Sequence, residues 1–529
     1  MSVAEHDVPV VIVGAGPVGA VMALQLAASG VDSVVVERTA TASRHPKMDF
    51  LNGRSMELLT RLGLGPDIRA QGVSPAHRFN FRWLHGLSRP ELSEWDYPSV
   101  DETRAEMAAV NDGSQPREPY QRILGSRLEE LGRARCAAAG PVDLRLGWSF
   151  AGLTQDSDGV TVELVDPEGG TDTVRARYVV GCDGANSAVR RAAGIEVDEQ
   201  GPRVEHRDVY FRSTDPALHA NGPFFLAILS SGLTLVSRDG DQTWTGTYPL
   251  LTEADAAADP VAVIRKRLGV DLEVDEVLAI AQWEGRLGVA ATYRAGSVFL
   301  AGDAAHQFFP TGGHGANTGI GDAVDLGWKL AAVVSGWGGP ALLDSYDAER
   351  RPVALFNREM CANLLEVWRR FPALAAFGAT DRQLSGFLDR ERYQISNLGI
   401  HFGYGYHRSP VIRHESGVEP PWDWHRIVPT TWPGRRLPSV RTEAGAELHD
   451  LLGTGYTLVD TSGVQAGKPI ASAADALGVP LTYLDVTDER LREVLARRLV
   501  LVRPDQHVAW RGDEVPENPS ALLELVTGK

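Results

Sequence analysis

The residues best suited to chemistry lie within residues 297–330, where a short apolar stretch ends in Gly302 and Asp303. A carboxylate at the end of a buried strand can accept hydrogen bonds from the hydroxyl groups of a ligand. The glycine-rich run that begins at Pro310 lets backbone approach a flat molecule closely, because glycine carries no Cβ atom. From Asn317 apolar residues recur at helical spacing, so we predict a helix start whose N–H groups face an electron-rich ring edge. A strand, loop and helix that pack together without a ligand fit this segment equally well.

A second segment has the pattern of a dinucleotide-binding βαβ unit. Val8–Val13 is a continuous apolar run, and a G-x-G-x-x-G turn and a helical pattern follow it. The next apolar strand ends at Glu37, 23 residues after Gly14, where a ribose-binding acid is expected. In such a turn Gly14 makes the bend, Gly16 lets a pyrophosphate touch backbone, and Gly19 lets helix and strand pack. The alternative is a glycine-rich helix start without a ligand.

Asp183 is a third candidate ligand-binding residue. It follows an apolar run over residues 178–182 and precedes a helical pattern that starts at Ala188. An acid at the carboxyl end of a parallel strand can face a ligand. A helix N-cap formed by Asp183 or Ser187 explains the same local pattern.

Composition narrows the function classes. The chain has 529 residues, enough for about three domains, and a net charge of −17 without basic runs, which argues against nucleic acid and anionic membranes as partners. Three widely spaced cysteines form no C-x-x-C pair, so we expect no disulfide, no metal site and a reducing, cytoplasmic location. Residues 8–31 carry no charge, but glycines and Pro17 interrupt them and acids precede them, so we predict neither a signal peptide nor a membrane helix.

Coarser patterns outline the rest of the chain. We predict a hairpin over residues 159–177, an acidic loop over 98–115 and mostly strands between 205 and 290, which form an inserted sheet. Aromatic residues of that sheet are candidates to line an apolar pocket, although most aromatic residues are core.

Three motifs, in this order, resemble those of the single-component FAD-dependent aromatic hydroxylases, which share the p-hydroxybenzoate hydroxylase fold. They are the G-x-G-x-x-G turn at Gly14–Gly19, Cys182-Asp183-Gly184, and Gly302-Asp303-Ala304-Ala305-His306 with Pro310-Thr311-Gly312-Gly313. Further similarity extends from residue 52 to residue 511 and points to the phenol and aromatic-polyketide hydroxylases within that family. The resemblance therefore covers nearly the whole chain.

The resemblance implies an α/β fold with three parts. A Rossmann-like FAD-binding domain would comprise residues 1–190 and 291–410, and the inserted β-sheet substrate domain residues 191–290. A linker over residues 411–438 would lead to a thioredoxin-like C-terminal domain over residues 439–529. Because no cysteine follows Cys361, that last domain cannot perform dithiol chemistry.

The resemblance also implies roles for individual residues. Asp303 would bind the ribityl chain, amides at the start of the helix the pyrimidine edge of the flavin, and Asp183-Gly184 both FAD and NAD(P)H. The FAD-binding residues would be Gly14, Gly16, Pro17, Gly19, Glu37, Arg38, Arg44, Arg127, Asp183, Gly302, Asp303, Pro310, Gly313, Gly315, Ala316 and Asn317. Candidates for catalysis are Pro310, His401 and Tyr404, and candidates for substrate binding are Tyr210, Phe225 and Trp283.

Two positions depart from the family pattern. Many relatives have a flavin-contacting Gln where this chain has Gly125, and some polyketide hydroxylases have an Arg where it has Gly405. Substrate deprotonation or oxygen activation must therefore differ from those relatives.

The function implied is hydroxylation of an electron-rich phenolic or polyketide ring in secondary metabolism. FAD would be reduced by NAD(P)H and would react with molecular oxygen through a flavin C4a-hydroperoxide, in a monomer or homodimer. Alternatives are Baeyer–Villiger oxygen insertion on the same scaffold, degradation of a simple phenol, and a flavin-binding protein without activity. A halogenase is rejected, because Trp422–Pro429 fits the W-x-W-x-I-P signature only loosely.

Overall fold

The computed structural model describes residues 7–43, 45, 48–220 and 222–529. The first part of the chain contains ten strands and six helices. In chain order they are β1 (Val8–Val13), α1 (Pro17–Ala27), β2 (Ser33–Glu37), β3 (Phe50–Leu51), α2 (Gly53–Arg61), α3 (Gly65–Gln71), β4 (Phe81–Leu84), β5 (Ser93–Trp95), α4 (Val100–Ala109), β6 (Gln121–Arg122), α5 (Gly125–Ala138), β7 (Val142–Leu146), β8 (Ser149–Gln155), β9 (Val160–Val165), β10 (Thr171–Gly181) and α6 (Ala188–Ala192).

The middle part is dominated by strands. It contains β11 (Val197–Glu199), β12 (Val204–Arg212), β13 (Leu226–Leu229), β14 (Thr234–Ser237), β15 (Thr243–Pro249), α7 (Glu253–Ala257), α8 (Pro260–Leu268), β16 (Glu276–Gly285), β17 (Gly288–Ala290), β18 (Arg294–Ala295), β19 (Val298–Leu300) and β20 (His306–Gln307).

The last part begins with two long helices and ends in a small α/β unit. It contains α9 (His314–Val334), α10 (Pro340–Ala376), α11 (Asp381–Glu391), α12 (Leu398–Phe402), β21 (Tyr456–Asp460), α13 (Lys468–Leu477), β22 (Leu481–Asp485), α14 (Glu489–Leu495), β23 (Leu499–Val502), β24 (Val508–Gly512) and α15 (Pro519–Thr527).

The first sheet carries the predicted dinucleotide-binding unit. Its path is β18-β19-β10-β1-β2-β7, and β9 and β8 are joined to β10 as antiparallel neighbours. Strand β1 pairs in parallel with β10 and β2, and α1 packs against α5 and α9. The predicted strands at Val8–Val13 and residues 33–36 and the hairpin over 159–177 are confirmed. The uncharged run from residue 8 to 31 is thus a buried strand and helix.

The second sheet draws on two stretches of chain, whereas the sequence predicted one, over residues 191–290. Its order is β16-β12-β15-β14-β13-β4-β5. Strand β4 pairs in parallel with β13, with Phe81 opposite Leu226, and buries Trp83 and Leu84 on opposite faces of the sheet. Residues that follow α3 therefore complete a sheet built mostly from the middle of the chain.

The predicted acidic loop over residues 98–115 was wrong for its first part, which is helix α4. The Ser99 hydroxyl accepts a hydrogen bond from the Glu102 N–H, and the Glu102 carboxylate accepts one from the Ser99 N–H. This reciprocal capping box starts a helix without help from packing. Only Val100 of that helix is buried, so no apolar stripe revealed the helix in the sequence.

The C-terminal unit has a four-stranded sheet of order β22-β21-β23-β24. Strands β21 and β22 run parallel and the other neighbours antiparallel. The family resemblance implies strands at residues 458–460 and 500–502 and helices at 470–477 and 522–526 in this unit, and the structure confirms all four.

Arg503 joins the C-terminal unit to the long helices. Its guanidinium donates to Glu349 at 2.7 and 2.8 Å and to Asp325 at 2.9 Å. Lys329 donates to the same two carboxylates, at 2.6 and 2.8 Å. All four side chains are buried, and buried charges of this kind are tolerated only when paired.

The described residues offer neither a helix that could span a membrane nor a cluster of side chains that could hold a metal ion. No helix there is both long enough and apolar enough to cross a bilayer, and no three His, Cys, Asp or Glu side chains there lie close enough together to hold a metal ion.

We predict that Arg503→Met lowers the free energy of unfolding by about 3–5 kcal/mol, because it leaves the buried carboxyl groups of Asp325 and Glu349 to share one cation, Lys329. Thermal and denaturant unfolding of the purified protein measure this. Arg497→Met is the matched control, since Arg497 is an exposed arginine 3.5 Å from Asp513, and it should change stability by less than about 1 kcal/mol. Equal effects of both substitutions would contradict the prediction.

Candidate FAD and substrate site

The turn between β1 and α1 has the geometry that its three glycines predict. Gly14 has a φ of +107°, and a Cβ atom added there would lie 2.4 Å from the Cys182 carbonyl oxygen. A Cβ at Gly19 would lie 1.9 Å from the Gly14 oxygen, whereas a Cβ at Gly16 would meet no atom within 4 Å. Gly14 and Gly19 are therefore needed by the fold itself. Gly16 instead borders open space, as a position reserved for a pyrophosphate requires.

Glu37 lies at the end of β2 beside this turn. One carboxylate oxygen accepts from the Ala15 N–H at 2.9 Å, and the other accepts from the Thr39 N–H and hydroxyl. Burial opposes ionisation, but these hydrogen bonds and nearby Arg133 hold the pKa of Glu37 below its usual value. Its carboxylate is thus ionised and fixed beside the turn, and the ribose contact stays a prediction.

Arg133 on α5 was missed by the sequence analysis. Its guanidinium donates to the Ala15 carbonyl at 3.2 Å and to the Thr39 carbonyl at 3.0 Å, and it is buried. Arg133 therefore stabilises the turn between β1 and α1 through hydrogen bonds to backbone carbonyl groups. Its spacing of four residues from Glu129, with which it pairs, was the available signal.

The other basic residues predicted to bind FAD make fewer contacts with the site. Arg38 and Arg127 are exposed, and Arg127 pairs with Glu130 at 3.0 Å on its own helix. Arg44 lies outside the described residues. Pro17 is the first residue of α1.

Asp183 and Ser187 both cap helix α6. The Asp183 carboxylate accepts from the Ala188 and Val189 N–H groups at 2.6 and 3.1 Å, and the Ser187 hydroxyl accepts from the Arg190 N–H at 2.9 Å. The capping alternative is therefore present in the structure. The contacts of Asp183 with FAD and NAD(P)H stay a prediction.

Gly302 and Asp303 follow β19 and face the start of α9. Gly302 has a φ of +63°, and an added Cβ would lie 2.9 Å from the Val18 side chain. Asp303 is exposed. A Cβ atom added at Gly315 would have the Asp303 Oδ1 atom, 3.9 Å away, as its nearest neighbour. Asp303 and the first turn of α9 thus border one open space.

The glycine loop, residues 309–316, leads into α9. That helix begins at His314, not at the predicted Asn317, because Gly312 and Gly313 at φ +78° and +66° end the preceding turn. Gly315 and Ala316 are thus in its first turn, where backbone N–H groups have no partner within the helix. The space beside Gly315 is where an anionic ring edge could accept from them.

Asn317 anchors this helix start. Its side-chain oxygen accepts from the Asn52 N–H at 2.9 Å, and its amide nitrogen donates to the Phe50 carbonyl at 3.1 Å and to the Gly313 carbonyl at 2.6 Å. The predicted cofactor-binding residue is therefore also a link between α9 and β3.

One end of the glycine loop contacts the second sheet through Phe309. Its ring lies 5.7 Å from that of His206 and 6.3 Å from that of Trp283, and the latter two rings stack at 4.5 Å. Trp283, predicted to bind substrate, therefore lies beside Pro310, the next residue after Phe309. Pro310 itself is exposed.

The other end contacts the sheet through stacked aromatic rings. A Cβ at Gly313 would lie 2.8 Å from the Phe50 ring, Phe50 stacks on Phe79 at 4.8 Å, and Phe79 stacks on Phe225 at 4.4 Å. The Arg122 guanidinium lies 4.4 Å from the centre of the Phe225 ring. Phe225, the second predicted substrate residue, thus belongs to a buried stack that reaches the glycine loop.

Between these two contacts the sheet presents a polar face. Val209 and Phe211 of β12 pack with α8, so the alternate residues Asp208 and Tyr210 face the other way. Asp208 accepts from the Thr247 hydroxyl at 2.8 Å and lies 3.3 Å from the His45 Nε2 atom. Tyr210, the third predicted substrate residue, is half-buried there.

Arg238 adds a positive charge to this face. It donates to the Thr245 hydroxyl at 2.8 Å and to the Asp49 carboxylate at 3.0 Å. The sequence analysis missed Asp208, Arg238 and His45. Alternation along β12 could have placed Asp208 beside Tyr210, but no local pattern brings His45 or Asp49 to the sheet.

His401 and Tyr404 occupy different surroundings. The ring of buried His401 lies 5.8 Å from that of His314 and 6.5 Å from that of Phe50, close to the glycine loop. Tyr404 lies 5.5 Å from the His507 ring and under the Arg350 guanidinium. Tyr404 thus packs between the long helices and the C-terminal unit, and its catalytic role stays a prediction without support from these contacts.

Burial makes both histidines resistant to protonation. Burial lowers the pKa of His314 to about 4, and burial together with the neighbouring His314 lowers the pKa of His401 to about 3. Both rings are therefore neutral at physiological pH.

Two family models match the chain. A model described as FAD binding domain matches residues 7–357, and one described as aromatic-ring hydroxylase, C-terminal, matches residues 430–528.

Similar proteins extend over almost the whole chain. The FAD-dependent monooxygenase apdD of Emericella nidulans is 34% identical, with 97% of this chain and 88% of that protein covered. The 4-methyl-5-nitrocatechol 5-monooxygenase of a Burkholderia species is 32% identical, with 98% and 96% covered. The crystal structure of aklavinone-11 hydroxylase in a ternary complex with FAD and aklavinone is 26% identical, with a TM-score of 0.81 and 99% and 100% covered.

Gly16→Val is predicted to raise the FAD dissociation constant at least about tenfold. The valine side chain would fill the open space in which the pyrophosphate is predicted to bind, without a clash with the protein itself. Flavin content and FAD titration of the apoprotein measure it. Gly140→Val is the matched control, since an added Cβ at this exposed glycine also meets nothing within 4 Å. Wild-type FAD affinity in the Gly16 variant would contradict the assignment of this turn.

We also predict that His401 contributes to acid sensitivity. In the unfolded chain His401 has a pKa of about 6.5 and binds a proton below that pH. In the folded protein its ring stays neutral to a much lower pH, because burial lowers its pKa. Stability should therefore fall as the pH drops below about 6.5, by up to about 1.4 kcal/mol per pH unit for this one group. Denaturant unfolding from pH 7.5 to 4.5 should show a shallower loss for His401→Gln than for the wild type. The exposed His425→Gln control should leave the slope unchanged, and an unchanged slope in both variants would contradict the prediction.

Proposed function

The chain belongs to the family of FAD-dependent aromatic-ring monooxygenases, and on that premise we propose that it uses FAD, NAD(P)H and molecular oxygen to hydroxylate an electron-rich aromatic ring. Phenolic and polyketide rings are the substrate classes that this site suits, and a tailoring step in secondary metabolism is the role that we propose.

The observation that carries this proposal is the double contact between the glycine loop and the second sheet. Phe309 meets Trp283 at one end, and Gly313 meets Phe50 at the other. A flavin ring held at the start of α9 would therefore lie beside the sheet face between these contacts. A substrate that binds there would be next to the cofactor and away from bulk water, as oxygen transfer requires.

The lining favours a flat molecule with polar edges. Aromatic side chains at both ends suit the faces of a ring system. The polar face between them offers hydroxyl and guanidinium donors from Thr247, Thr245 and Arg238, and the acceptor Asp208. Ring hydroxyl or carbonyl oxygens can form additional hydrogen bonds with these groups, which a plain hydrocarbon cannot.

Asp208 and His45 supply a route for a proton. The His45 Nε2 atom lies 3.3 Å from the Asp208 carboxylate, so the pair can accept a phenolic proton and keep it within the site. A phenolate ring is more electron-rich than the phenol and is therefore a better acceptor of oxygen. Gly125 and Gly405 lack the side chains of some relatives, and this pair is the chain's own substitute for them.

Bound FAD would accept electrons from NAD(P)H and would then activate oxygen, through the predicted hydroperoxide. The chain's residues do the rest. Gly16 leaves room for the pyrophosphate, Glu37 receives the ribose, Asp303 the ribityl chain, and N–H groups of Gly315 and Ala316 the pyrimidine edge. Donors at that edge stabilise negative charge on the ring.

Further residues complete the proposal. Asp183-Gly184 would share NAD(P)H binding, as the family resemblance implies. His401 would act as a neutral group near the ring, and Pro310 as a wall of the oxygen-reacting side. We propose a cytoplasmic monomer or homodimer, with the C-terminal unit in a structural role.

Turnover under ¹⁸O-labelled oxygen tests the proposal directly. The wild type is incubated with NADH or NADPH and a panel of phenols and fused-ring polyketides, and products are weighed by mass spectrometry. One labelled atom on an aromatic carbon is the expected result. The Gly16→Val protein is the matched control and should consume little NAD(P)H.

Two other results would change the conclusion. A label in an ester or lactone oxygen would assign Baeyer–Villiger insertion instead. Substrates that only raise free peroxide and return unlabelled would refute the monooxygenase assignment.

A further inference from the structure

Asp322 on α9 is completely buried and accepts hydrogen bonds from three residues, two of them in the turn after β19 and one on α10. They come from the Gly302 N–H at 3.2 Å, from His306 Nε2 at 2.9 Å and from Arg350 Nε at 2.8 Å. Asp322 lies about two turns after the helix start that the proposed FAD site uses, so its contacts bear on how that site is assembled.

The Gly302 contact fixes the turn that carries Asp303. Gly302 is the residue immediately before Asp303, and its left-handed conformation places it against Val18 of α1. His306 closes the same turn from its other side by donating to Asp322. The carboxylate therefore holds both ends of the segment that presents Asp303.

The Arg350 contact fixes the helix. Arg350 donates to Asp322 and also to the Thr318 carbonyl at 3.0 Å. A Cβ atom added at Gly321 would lie 2.6 Å from its Nη2 atom, so the guanidinium lies flat against α9. Helix α9 is thereby held against α10, next to its first turn.

The carboxylate is suited to this task because it is charged. Burial opposes ionisation, but Arg350 and His306 outweigh it and lower the pKa of Asp322. The His306 Nδ1 atom has no hydrogen-bond partner among the described residues, which assigns the ring proton to Nε2. All three contacts are thus donations to an ionised carboxylate, the stronger class of hydrogen bond.

We infer that Asp322 is a positioning residue for the FAD site, which fixes Asp303 relative to the first turn of α9. The inference rests on the proposed FAD site, because Asp303 and the N–H groups at the start of α9 are the two parts of that site whose relative position Asp322 fixes. Asp322 itself contacts neither cofactor nor substrate. It acts through Gly302, His306 and Arg350.

Asp322→Asn tests the inference, because the amide keeps the size of the side chain but loses its charge and turns one acceptor into a donor. We expect an FAD dissociation constant higher by about tenfold, a shifted midpoint potential of the bound flavin, and more peroxide per NAD(P)H consumed. His306→Gln is the milder second variant. It keeps the Arg350 pair and should shift the same three quantities in the same direction by less.

Asp325→Asn is the matched control. Asp325 is also a buried aspartate of α9, one turn later, and pairs with Lys329 and Arg503. It should lower stability without changing flavin affinity or potential. If Asp325→Asn changes these as much as Asp322→Asn, or if the soluble Asp322 and His306 variants both match the wild type, the inference is overturned. A wild type that binds no FAD would instead refute the proposed function.

Discussion

Every charge buried on helix α9 needs a partner from another segment, and this requirement determines how the parts of the molecule fit together. Asp322 pairs with Arg350 of α10. Asp325 pairs with Lys329 and with the C-terminal Arg503, and Lys329 also pairs with Glu349 of α10. Removing either partner would leave a charge in a region that water does not reach, at a cost of several kcal/mol. The arrangement of α9, α10 and the C-terminal unit satisfies these pairs together. That arrangement fixes the position of the glycine loop, because the loop leads directly into α9.

The glycine loop in turn connects the two sheets of the molecule. Its two ends touch aromatic residues of the second sheet, and the sheet face between them is polar. This division follows from strand geometry, because alternate residues of β12 point to opposite faces. The same strand can therefore bury Val209 and Phe211 against α8 while presenting Asp208 and Tyr210 on the opposite face of the sheet. Packing and recognition are separated residue by residue along one strand.

The local motifs were the predictable part of this molecule. Gly14, Gly16 and Gly19 have their roles within six residues of chain, so a short pattern is sufficient to identify them. The polar face could not be read in this way, because His45 contacts Asp208, and Asp49 contacts Arg238, across 163 and 189 residues of chain. Helix α4 escaped because a capping box, and not an apolar stripe, starts it.

The long sequence separation of the Arg503 contacts has a consequence for synthesis of the chain. Arg503 lies 154 residues after Glu349 and 178 after Asp325. When α9 and α10 leave the ribosome, the arginine that pairs with their carboxylates has not yet been made, and Lys329 of α9 is the cation that both carboxylates can contact. The charge pairing between the two helices therefore becomes complete only after residue 503 has been added.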